Sequence, residues 1–170
     1  MSRRKLLNKA IITLLFLTSG VLPTGLSSAL GQDTQATQIS CLETRTAALR
    51  LNQLSEGIAT CTQLAEDPGA TVTLRSQALH QRGLMHARQW SIAQNRQDAV
   101  RAIDDITEGF QLQIPPSDRR TVLLLIRAQL YAATDQARKA AEDYRAVLEH
   151  DPKNHAALVG LSKILRAPSQ

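Results

Sequence analysis

The sequence predicts an all-α protein, and three observations point that way. Aromatic residues make up 3% of the chain and hydrophobic ones 43%, with Ala and Leu prominent, which suits closely packed helices better than strands. The stretch AAEDYRAVLEHDPKN (140–154) ends one amphipathic pattern at a proline and starts another at once. The chain also aligns with itself. RGLMHARQW… through IPP (82–116) lies over RAQLYAATDQARKAAEDYRAVLEHDP (127–152), so each unit reads as a helical hairpin.

The elements follow in order along the chain. Residues 1–31 have a basic start (Arg3, Arg4, Lys5, Lys9), an apolar run from Ala10 to Leu22, and small residues at Ser27, Ala29 and Gly31. That is the layout of a secretory signal peptide, its apolar run well short of the roughly 20 residues a membrane span needs. Cleavage is expected after Ala29 or Gly31, with no stable membrane insertion afterwards. The general secretory route is the first expectation; SRRKLL also approaches the twin-arginine export pattern. The expected destination is the periplasm or the outside of the cell, with residues 32–40 as a flexible linker and 41–167 as the folded domain.

Four of the 20 Lys and Arg lie in the leader, so sixteen face fifteen acidic residues in the remainder, a net charge of +1. Without a basic excess and with few aromatics for base stacking, nucleic-acid binding loses its physical support.

Cys41 and Cys61 are the chain's two cysteines. In an exported protein a disulfide is the natural expectation. The residues between them read as two helical pieces broken near Asn52, Ala47, Ala48 and Leu51 on one and Ile58 on the other. An antiparallel hairpin would set the two cysteines opposite each other. The alternative is a redox-active pair in a stress-related periplasmic protein, although neither cysteine shows the close spacing or the helix N-terminus that lowers a thiol pKa.

In the two aligned units Arg82-Gly83 lies over Arg127-Ala128, Leu79 over Leu124, Asp105 over Asp143 and Phe110 over Leu148. The unit Thr121–Asn154 carries Leu124, Ala128, Tyr131, Ala140, Tyr144 and Pro152. At these residues the chain resembles the tetratricopeptide repeat (TPR). Small residues at 128 and 140 let two helices approach closely, Tyr131 and Tyr144 fill the space around them, and Asn154 can cap the next helix. The unit 76–116 departs from the pattern, with His86 where Tyr is usual and a longer connection, its extra residues falling in ARQWSIAQNRQDAV as a longer turn or an extra helical turn. Residues 41–68 form only a degenerate hairpin, and 155–166 resembles the capping helix of such arrays. The resemblance therefore implies a short TPR-like α-solenoid of stacked antiparallel hairpins with a C-terminal capping helix, similar to exported TPR proteins of Gram-negative bacteria.

Both units place Arg where that family usually has Leu. A charge beside the core is costly unless paired, so the expected ion pairs are Arg82–Asp105 and Arg127–Asp143. By analogy with the family the concave face carries Gln77, His80, Leu84 and Ala87, then Val122, Leu125, Gln129 and Ala132, extended by Val159 and Lys163. This implies a non-catalytic protein–protein interaction or scaffolding module of the cell envelope, holding a peptide or protein segment in that groove. No catalytic residue is assigned. His80 and His86 are six apart, and none of the four His has a second ligand at i+3 or i+4, so no metal site is expected. Phosphate-loop and nucleophile-elbow motifs are absent from the sequence, and no cofactor is expected.

Overall fold

In the computed structural model the described residues are 37–38, 40–43, 46 and 49–166. The leader at 1–31 lies outside them, as do most of the 32–40 segment and Ala47 and Ala48. Among the described residues the secondary structure is helical and contains no strand. After a short helical stretch that carries Cys41 come α1 (Leu51–Glu66), α2 (Val72–Ala93), α3 (Arg96–Leu112), α4 (Ser117–Ala133), α5 (Ala137–His150) and α6 (His155–Arg166). All lie in one compact unit, Thr34–Gln170.

The helix boundaries have local causes. Thr71 opens α2 by accepting a hydrogen bond from the Leu74 N–H, and Asn95 opens α3 by accepting one from Gln97. α2 stops at Gln94, which turns left-handed with φ 54°. Pro115 and Pro116 separate α3 from α4. At the DPKN turn Asp151 accepts from the Lys153 N–H and the Asn154 amide, while Asn154 Oδ1 accepts from the Ala157 N–H at 3.1 Å to start α6.

One boundary differs from expectation, and another resolves two alternatives. The break in the first segment falls at Leu49–Arg50, before Asn52, because the Arg50 N–H donates to Gln53 Oε1 and α1 starts there. For the extra residues of the 76–116 unit the structure has the helical alternative: α2 runs on to Ala93, leaving Gln94 and Asn95 as the connection.

Each helix packs on the next, and α2 also meets α4, as α4 meets α6. Two apolar clusters result. One joins Cys41, Leu54, Cys61, Leu64, Ala78, Leu79 and Met85. The other joins Ala99, Ala102, Leu124, Ala128, Tyr131, Ala140, Tyr144, Val147 and Ala157. Small residues set the closest approaches: a Cβ on Gly83 would lie 2.9 Å from Ile106 Cγ1, and one on Gly160 would overlap the Tyr144 ring.

Candidate functional site

Because α2 and α4 lie side by side, their outward faces form the two walls of a groove. It encloses a cavity of about 430 Å³ lined by Leu84, Ala87, Arg88, Trp90 and Ser91 from α2 and by Val122, Ile126, Gln129 and Leu130 from α4. Thr46 and Gln81 close one end, Gln81 donating to Thr46 Oγ1 at 2.9 Å while its oxygen accepts from Arg119 Nη2 at 3.3 Å. A volume of this size, mostly apolar with a few polar groups, is typical of ligand sites.

The residues expected on the concave face divide among four places. Leu84, Ala87, Val122 and Gln129 line this cavity. Gln77 and His80 instead border a separate void of about 50 Å³ beside Pro115, Pro116 and Arg119. His80 is fully buried, because α3 covers its flank of α2: Phe110 meets its ring edge-on at 5.2 Å and Gly109 offers no side chain to push it out. Leu125 packs against the core, while Ala132 is exposed. Val159 and Lys163 are exposed on α6 and do not line the cavity. Trp90, Arg88, Ile126 and Leu130 also line the cavity, beyond the residues expected from the sequence. Arg88 and Ile126 continue the helical spacing of Leu84 and Val122, a signal that extends once α2 is known to reach Ala93.

Outside the cavity lining, Arg82 and Arg127 are each paired with an aspartate. Arg82 Nε and Nη2 donate to both oxygens of Asp105 at 2.9 and 2.7 Å, and Arg127 does the same to Asp143 at 2.8 and 2.7 Å. The free Nη1 of each reaches back one helix, from Arg82 to Thr62 Oγ1 and from Arg127 to Thr107 Oγ1, both at 3.1 Å. Three successive helices are thereby tied by one Thr–Arg–Asp triad, and the triad occurs twice. The hydrogen bond to Asp105 raises the Arg82 pKa. For Arg127 burial acts downwards, but the Asp143 bond and charge outweigh it and raise the pKa. Its guanidinium also lies over the Phe110 ring at 4.9 Å.

Burial, reinforced by the charges of Arg119 and Arg127, pushes the His80 imidazole down to about 4. Among the described residues neither of its ring nitrogens has a hydrogen-bond partner. Cys41 and Cys61 are joined as a disulfide with Cα atoms 5.0 Å apart, and both are fully buried. Among the described residues no group of three or more His, Cys, Asp or Glu side chains gathers as a metal site, and no helix is long and apolar enough to cross a membrane.

No family model matches the chain. No solved structure matches it either.

Proposed function

We propose that the chain is a short TPR-like α-solenoid of the cell envelope, exported through its N-terminal leader, and that it binds a peptide or protein segment without catalysing a reaction. The observation that carries this reading is the groove between α2 and α4, where Leu84, Trp90, Val122 and Ile126 present apolar surface beside Gln81 and Gln129. Further support comes from the packing of alternate helices, α2 on α4 and α4 on α6, the register a stacked array of hairpins requires. The Cys41–Cys61 disulfide suits an oxidising compartment. Its complete burial favours a structural crosslink over a cycling redox pair, which needs a sulfur open to attack.

Val122 is 50% exposed and Gln129 is also exposed, so both accept new side chains without disturbing the core. A Val122→Lys/Gln129→Glu variant of the full chain is expected to keep its helical melt and to lose envelope proteins that the parent captures. An identical set captured by both would overturn the reading.

A further inference from the structure

Among the described residues the groove holds one formal charge and nothing to neutralise it. Arg88 lines the cavity, yet no carboxylate does, and Arg88 forms no ion pair among the described residues. Its Nε–H is shut off from solvent without an acceptor, and Nη1 makes only a 3.4 Å contact with Ser91 Oγ. This contrasts with Arg82 and Arg127, each held by two bonds to an aspartate and a third to a threonine. A guanidinium has five donors, and leaving one buried and unmatched costs free energy that an incoming acceptor recovers.

The walls on either side of Arg88 are apolar: Leu84, Ala87, Trp90, Val122 and Ile126. An occupant that satisfies both features combines apolar side chains with an adjoining negative charge. Resting on the groove-binding reading above, we propose that the partner is a protein segment in which an Asp or Glu side chain is flanked by apolar residues. Its carboxylate accepts from the Arg88 guanidinium, and its apolar side chains pack on Trp90 and the Val122 wall. Complementary charge sets the register of the segment, while the apolar contact supplies most of the buried area.

Trp90 is the chain's one tryptophan and sits in the groove, so its fluorescence reports occupancy directly. The probes are two acetylated, amidated heptapeptide pools, Gly-Zaa-Zaa-Asp-Zaa-Zaa-Gly and the same with Asn for Asp, where Zaa is Ala, Val, Leu or Phe. Titrated into the full chain, the Asp pool is expected to bind about tenfold more tightly than the Asn pool, the scale of one charge-assisted hydrogen bond. The preference should shrink at high salt and vanish in Arg88→Gln, whose circular dichroism melt controls for folding. Equal binding of the two pools, or a preference that survives Arg88→Gln, would overturn the acidic-segment proposal and leave groove binding standing. Failure of both pools to change Trp90 emission would overturn groove binding itself.

Discussion

Arg127 and Asp143 face each other across the α4–α5 contact through two parallel hydrogen bonds of 2.8 and 2.7 Å, with side chains 14% and 9% exposed. Arg82 and Asp105 repeat the arrangement one hairpin earlier. An ion pair this well shielded is costly to break from one side, since the surviving charge stays buried.

Asp143→Ala is therefore expected to destabilise the chain by about 3 kcal/mol or more in a denaturant titration. The double variant Arg127→Leu/Asp143→Ala, which removes both charges, should recover part of that loss. A double variant as unstable as the sum of its single substitutions would show that the pair is not coupled.

The Cys41–Cys61 crosslink closes a sequence separation of 20 residues. In the chain-entropy account a loop of that size stabilises by about 3 kcal/mol. Reduction should lower the melting temperature and loosen the cluster around Leu54, Leu64 and Met85 first, read as faster amide exchange in α1 than in α4–α6. Uniform exchange with and without reductant would argue against that role.

His80 gives the fold a pH dependence of known sign. Its ordinary value of 6.5 holds in the unfolded chain, and burial lowers it to about 4 in the folded one. Below pH 6.5 the unfolded state binds a proton that the native state refuses, so stability is full above that pH and falls as pH drops towards 4. Between pH 7 and 5 this amounts to roughly 2 kcal/mol. His86, whose pKa burial also lowers, adds to the same trend. A His80→Met variant should flatten most of the slope; an unchanged slope would place its origin elsewhere.

Two helical glycines should respond oppositely to alanine. Ala in a helix interior normally gains up to about 1 kcal/mol over Gly. At Gly57 the new methyl meets only the flexible end of Met85, so the gain should largely survive. At Gly83 it would press on Ile106 Cγ1 at 2.9 Å and on the Ala102 carbonyl at 3.2 Å, and a loss of about 1–3 kcal/mol is expected. Thermal melts of the two variants decide it.

Local chemistry made parts of this architecture legible in the sequence. The α5–α6 boundary was readable because Pro152 cannot extend a helix and Asn154 caps one. Arg82 and Arg127 were readable because a cation among core residues demands a partner, and Asp105 and Asp143 recur at matching places. Their third contacts, Thr62 and Thr107, come from the preceding helix, and nothing in their own neighbourhood requires a guanidinium. Analogy with the family puts His80 on the same face as Leu84, yet it does not say which flank of a helix its neighbour covers. Here α3 covers His80 and α4 leaves Leu84 open. Trp90 and Arg88 went unassigned because the length of α2 depends on where Gln94 turns left-handed, and glutamine carries no strong signal for that conformation.

Site-specific photo-crosslinking in the producing cell decides whether the α2–α4 groove receives a protein segment. A photoreactive side chain at Gln129 lies on the groove; one at Arg138, whose side chain is 93% exposed, lies away from it. A discrete covalent adduct is expected from position 129 and none from 138, lost when Arg88→Gln is combined with Val122→Lys. Adducts from 138 alone, or equally from both positions, would contradict it.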